Sequence, residues 1–358
     1  MPSLKEIKGR INSISSTLAI TSAMKMVAAA KLQKAQMAIQ NMLPYERRLY
    51  SMLVDLMGAM NISAAASEDG SVRGSGSAER GFDQSGDRLS LSNRHDLAGM
   101  DGAYSLMAQR EARKVAIVAF ASNSSLCGAF NSNAIREATA VINEYRASGL
   151  RDSDIVVYSV GRKMAEAMRK LGFPSPADFT KMSDSPSYDA ASALAQELLD
   201  GFVSGRFDKV ELVYNHYKST SSQPTTRQTY LPLSLADATA DIQVGKITDS
   251  ASESDTNRGA EPVGAPVVRQ GSPTTEDLIV EPSKEALIAT LLPKVIRLRI
   301  FTTLLDSAAA EHAARTVAMQ LATDNGNDLL QELTLEYNKG RQQKITSEIL
   351  DLVGGSLQ

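Results

Sequence analysis

The chain has 358 residues, 43% of them hydrophobic and 22% charged, enough to bury one large core or two ordinary ones. Its net charge of −3 gives the whole chain no electrostatic footprint for nucleic acid. The one cysteine, Cys127, excludes an intrachain disulfide and fits a reducing compartment. The start is amphipathic and charged, unlike a secretory signal. No stretch reaches the roughly 20 apolar residues of a membrane span, so direct membrane insertion is not expected.

Along the first 60 residues, apolar side chains step by three and four: Leu4, Ile7, Ile11, Ile14 and Leu18, then Ala28, Leu32, Ala35, Ile39 and Met42, then Leu49, Leu53, Leu56 and Met60. This spacing is a heptad seam and predicts left-handed supercoiling with a partner helix. Ser3 and Glu6 form a capping box, and Pro44 predicts a kink. At 1.5 Å per residue such a helix spans on the order of 85 Å, more than one compact domain covers. Eight basic residues against three acidic ones give this segment +5. Residues 61–110 follow, rich in Ser, Gly and Asp around 63–103 and without lasting periodicity; they read as a disordered insertion.

The middle, 111–236, alternates strand and helix patterns. Continuous apolar runs at Lys114–Ser122, Asp154–Gly161 and Lys209–Ser219 read as buried strands, and Arg227–Ser234 alternates like an edge strand. Helical patterns lie at about 131–148, 162–171 and 188–204. The alternation predicts a mainly parallel, Rossmann-like sheet covered on both faces. Residues 237–280 read as a second insertion. The last segment, 281–358, has no proline after Pro293 and reads as a second very long helix, with Ala308, Ala309, Ala310, Ala313 and Ala314 allowing close backbone approach. The fold class is therefore α/β, with a long antiparallel coiled coil of the terminal helices. A plain helical bundle competes with this reading, but no other helical segment is long enough to complete one.

The middle domain carries no recognisable chemistry. The loops after its first two strands, "SNSSLCGAFNSN" and "GRKMAEAM", hold one Gly each and match no phosphate-binding pattern. Gly74, Gly76 and Gly81 follow no strand. His95, His216 and His312 are expected in a loop, a strand and a helix, without metal-ligand spacing. Nothing adjacent would activate Cys127, which reads as a small buried residue. No cofactor, no metal and no catalytic residue is expected.

Three stretches carry a resemblance: "ITSAMKMVAAAKLQKAQ" (20–36), "LCGAFN" (126–131) and "EHAARTVAMQLATDNGNDLLQELTLEYNKGRQQKITSEILDLVGG" (311–355). They closely resemble the gamma subunit of the rotary ATP synthase, at both chain ends and more loosely between; the insertions are not covered. The resemblance implies a non-catalytic rotor shaft. Its coil would stand in a ring of alpha and beta subunits, and its foot would join the epsilon subunit and the c-ring. Such a chain would lie peripherally on the cytoplasmic side of the bacterial inner membrane. By the same resemblance, Met24 and Lys25 face an acidic beta loop, while Arg341, Gln342 and Thr346 contact a beta loop higher up. Glu311 and Arg315 match a polar cluster near Met24, and Ile345, Ile349 and Leu352 form an apolar tip that turns in a sleeve.

Two departures stand out. Gly340 replaces the Ala usual in this family, and Gly inside a helix costs roughly 1 kcal/mol relative to Ala, so extra local flexibility is expected there. Ser124 and Ser125 stand where the family commonly has Arg-Gly. Two other functions compete: a free-standing enzyme on the α/β domain would bind nucleotide alone, and a structural scaffold would self-associate through the seam.

Overall fold

The computed structural model describes residues 3–59, 106–107, 109–233, 281 and 283–355. Most of both expected insertions therefore lies outside the described residues. The elements in chain order are α1 (Leu4–Ala59), β1 (Val115–Phe120), α2 (Phe130–Ala147), a 3-10 turn (Asp152–Asp154), β2 (Ile155–Val160), α3 (Arg162–Lys170), α4 (Thr180–Asp184), α5 (Tyr188–Val203), β3 (Lys209–Asn215), β4 (Thr225–Leu231) and α6 (Lys284–Gly355).

The two terminal helices run antiparallel. A Cβ at Gly340 would meet Leu4 and one at Gly326 would meet Leu18; Thr323 bonds Thr21, and Arg299 bonds Tyr50. The heptad seam is the buried stripe: Ile7, Ala28, Leu32, Leu49, Leu53 and Leu56 are covered, whereas Ile20, Met26, Val27 and Met37 off the seam are exposed. Ser3 caps α1, accepting from the Glu6 amide at 3.3 Å. Ser283 does the same for α6, accepting from the Ala286 amide at 3.1 Å. That cap starts α6 well before Pro293, so the proline lies inside the helix rather than at its start. Helix α1 likewise continues through Pro44.

The sheet order is β2-β1-β3-β4. Strands β2, β1 and β3 are parallel neighbours, and β4 pairs antiparallel with β3 at the edge. One face, with Val118, Phe120, Tyr158 and Leu212, packs on α5 and on the foot of the coil. There Leu53 and Leu56 of α1 meet Leu292, Ile296 and Leu304 of α6 in the same core. The opposite face, with Ile117, Val157 and Val213, packs on α2 and α3. Leu106 and Arg110, which the sequence reading places in the first insertion, join the domain: the Leu233 amide donates to the Leu106 carbonyl, and Arg110 lies over the Phe202 ring.

The turn from β2 into α3 explains why a single glycine follows the second strand. Gly161 has φ +98°, and a Cβ there would lie 2.0 Å from the Ala121 carbonyl oxygen. The first amides of α3 are already taken: Arg162 N donates to Asn123 Oδ1 at 2.7 Å and Lys163 N to the Ser122 carbonyl at 3.1 Å. Space and donors that a phosphate-binding loop would offer are used for packing one strand end on another.

Candidate functional site

A surface suited to partners lies along the coil rather than in a cleft. Helix α6 outruns α1: Leu4 ends its seam opposite Gly340, and the fifteen residues from Arg341 to Gly355 extend as a single helix. Arg341, Gln342 and Thr346 are all exposed there. The Thr346 hydroxyl donates to the Gln342 carbonyl at 2.9 Å, so its methyl and the Gln342 amide are what this face presents. Ile345, Ile349 and Leu352 are exposed together with Leu350 and Val353, and Leu352 is 74% exposed. Exposing so many large apolar side chains within nine residues marks a binding surface.

Met24 and Lys25 are half-buried on α1. Glu311 and Arg315 form a different centre, further towards the foot. The Arg315 guanidinium lies 2.8 Å from Glu311 Oε1, and both side chains are nearly covered. Burial pushes the Glu311 carboxyl above its usual range; Arg315 and Lys31 oppose this, and Asp184 of α4 adds to it. His312 is pushed down to about 4 by burial, with Arg315 and Lys31 adding to the effect. Besides Arg315, the charges acting on Glu311 come from Asp184 and Lys31, and Lys31 lies two turns of α1, about 10 Å, from Met24.

Arg315 also reaches off the coil. Its other terminal nitrogen donates to Ser124 Oγ at 2.8 Å, in the stretch where the family's Arg-Gly pair is replaced. In this loop Leu126 has φ +68° and Gly128 φ +57°, and a Cβ on Gly128 would stop 3.8 Å from Ala318. Cys127 is buried against Phe130 and Ala310 of α6, as a packing residue.

A second approach comes from the turn after β3. The strand ends at Asn215, so His216 lies beyond it and not in a strand. His216 Nδ1 pairs with Asp306 Oδ2 at 2.6 Å, and the Tyr217 amide donates to Asp306 Oδ1 at 2.9 Å. The Tyr217 hydroxyl accepts from Gln36 Nε2 of α1 at 2.6 Å. None of these contacts was visible from sequence, because His216, Tyr217 and Asp306 carry no motif and lie roughly 90 residues apart in the chain.

A long two-helix stalk, made from both chain ends and carried on an α/β domain, defines the class of protein. Comparisons place it. The ATP synthase family model matches residues 3–357. The ATP synthase gamma chain of Phocaeicola vulgatus is 46% identical over 357 residues, covering all of both chains. That of Bacteroides thetaiotaomicron is 44% identical over 358 residues, again over both whole chains. Among solved structures, the rotor of the Euglena gracilis mitochondrial ATP synthase in rotational state 1 matches with TM-score 0.51 at 18% identity, covering 96% of this chain and 98% of that one. This last likeness concerns the fold. The chain belongs to the ATP synthase family and, within it, to the gamma chains.

Proposed function

We propose that this chain is the central-stalk rotor of a proton-driven ATP synthase, itself without catalytic residues. Its coil stands in a ring of alpha and beta subunits, its α/β foot joins epsilon and the c-ring, and the assembly sits peripherally on the cytoplasmic side of a bacterial plasma membrane. The observation that carries this reading is the 46% identity, over the whole length, with a chain named ATP synthase gamma chain.

The mechanism is coupling by differential contact. A shaft biases a catalytic site only by contacting its alternative states with unequal free energy. An antiparallel pair with exposed Ile20, Met26 and Val27 on one helix and Leu321, Leu329 and Leu335 on the other is not axially symmetric, so each rotation angle offers the ring a different face. Lys25 and the +5 segment suit acidic beta loops, Arg341, Gln342 and Thr346 a polar loop above, and Ile345, Ile349 and Leu352 an apolar sleeve at the tip. The division into 1–60, 61–110, 111–236, 237–280 and 281–358 is retained as part of this proposal, with the domain contacts of Leu106 and Arg110 noted.

The test is co-expression with the organism's own alpha and beta subunits, purification and an ATPase assay. One copy per ring, with activity lowered by Arg341→Ala and Gln342→Ala, supports the reading. A chain that purifies alone while alpha and beta assemble without it overturns it.

A further inference from the structure

The α/β domain grips the coil at two levels, and the second is not the foot. At the foot, the sheet core encloses α6 up to Leu304 and α1 from Leu49 onward. That contact is mainly apolar, with two directional bonds to α6: Tyr230 donates to the Ile296 carbonyl at 2.9 Å and Arg297 to Gln196 at 2.5 Å. Beyond it, polar contacts with fixed geometry recur on both helices. Asp306 accepts from the Tyr217 amide and pairs with His216. Tyr217 in turn accepts from Gln36 across the coil, and its ring packs beside the cluster of Leu32, Ala309 and Ala313. One side chain therefore touches both helices from the domain.

The Ser124–Gly128 loop makes the matching grip on α6, through the Arg315–Ser124 bond and the close approach of Gly128 to Ala318. The two loops are themselves tied. Asn215, buried at the base of the β3–β4 turn, donates to the Phe130 carbonyl at 3.1 Å and accepts from Thr225 at 2.6 Å. Leu126, with φ +68° and an exposed side chain, holds a conformation that costs a non-Gly residue of order 1 kcal/mol and persists only where its surroundings fix it.

We infer that Tyr217, Asp306, Arg315 and Ser124 form a torsional collar: they fix the rotation of the coil to the α/β domain well above its foot. This rests on the rotor reading and names the residues through which torque enters the shaft. Beyond the foot, a stretch of coil not bonded to the domain can twist against it; directional bonds to both helices further up resist that twist. The helical length left free to twist is then about 55 Å, from Ala318 to Gly355, instead of about 77 Å from Leu304. For an elastic rod the angular variance scales with free length, so loss of the collar raises it about 1.4-fold on these lengths.

The experiment uses the assembled complex, with the alpha/beta ring fixed, turnover arrested and a bead on the foot, and reads the variance of bead angle. The variants are Tyr217→Ala with Arg315→Met, and the milder Tyr217→Phe. The expected result is a variance increase of up to about 1.4-fold for the double variant, which keeps the backbone bond from position 217 to Asp306, a smaller rise for Tyr217→Phe, and reversal when Gln36→Cys and Tyr217→Cys are joined by a short thiol cross-linker. A merely structural defect would lower the yield of complex without changing the variance of what assembles. Unchanged variance in arrested double variant that is fully assembled and rotates when turnover is restored overturns the collar and leaves the rotor reading standing. Failure of the unaltered chain to assemble overturns both.

Discussion

Replacing Arg315 by Met should destabilise the chain by an amount that depends on pH. Met keeps most of the side-chain volume but removes the cation 2.8 Å from Glu311 and the donor to Ser124. Glu311 is then buried and poorly compensated, and breaking such a pair costs about 3–5 kcal/mol if the charge stays. The carboxyl escapes by taking a proton. Starting from an ordinary value of 4.5, protonation at about pH 8 costs about 4.8 kcal/mol, and at about pH 5.5 only about 1.4 kcal/mol. The sign is therefore fixed: Glu311 already lies above its ordinary value in the unaltered chain, so the defect relative to that chain grows as pH rises above the raised value. Adding about 1 kcal/mol for the lost Ser124 bond, and with the parent's own raised Glu311 making these upper bounds, we expect a loss of up to about 6 kcal/mol near pH 8 and no more than about 2 kcal/mol near pH 5.5. Urea unfolding of the purified chain at both pH values measures it, and repeating it in a Glu311→Gln background should abolish the difference. An equal defect at both pH values would show that Glu311 does not stay buried beside position 315, and the reasoning would fail.

Gly340→Ala should slow amide exchange around residue 340 about fivefold, since Ala favours the helix by roughly 1 kcal/mol, and the added Cβ meets only the tip of Leu4, 3.1 Å away; unchanged exchange would mean that Leu4 cannot yield or that no extra opening existed. Glu211→Gln should cost about 3 kcal/mol near pH 7, because the buried carboxylate pairs with Lys209 at 2.7 Å and Arg227 at 2.6 Å and accepts from Tyr145 at 2.5 Å. Burial raises the Glu211 carboxyl, but these partners together hold it below its ordinary 4.5. Its contribution is thus present above that value and lost as pH falls through the lower native one. A destabilisation that persists undiminished near pH 3 would contradict this.

The periodic parts of the fold were legible because they rest on local rules. The seam through Ile7, Leu32 and Leu53 follows from a 3.5-residue spacing, and α2, α3 and α5 begin and end within a residue of the sequence reading. The short α4 was missed, since five residues give no period to recognise. Pro293 lies inside α6, where the cap at Ser283 and burial of Ile288 and Leu292 outweigh one lost backbone bond. The apolar stripe of Ile345, Ile349 and Leu352 was readable from its spacing, and all three are exposed. The grip of Tyr217 and Ser124 was not: Tyr217 reads as part of the third strand, which ends at Asn215 instead, and Ser124 as a loop position until the coil is placed beside it. Gly326, where a Cβ would lie 2.6 Å from Leu18, is another such case, because inter-helix spacing is a property of two segments some 300 residues apart.

Building one coil from both ends of the chain also governs how it can be made. The seam of α1 leaves the ribosome first, yet the residues that cover it, from Lys284 to Gly340, are synthesised last. At about 5–20 residues per second, Leu32 and its neighbours wait on the order of 15–60 seconds for Ala309 and Ala313. The sheet can close against α2 and α3 in the meantime, while its other face still waits for Leu292, Ile296 and Leu304 of α6. Biogenesis therefore includes an interval in which a half-covered domain trails an amphipathic helix with its apolar stripe bare, a target for chaperones and proteases that disappears when the final segment docks.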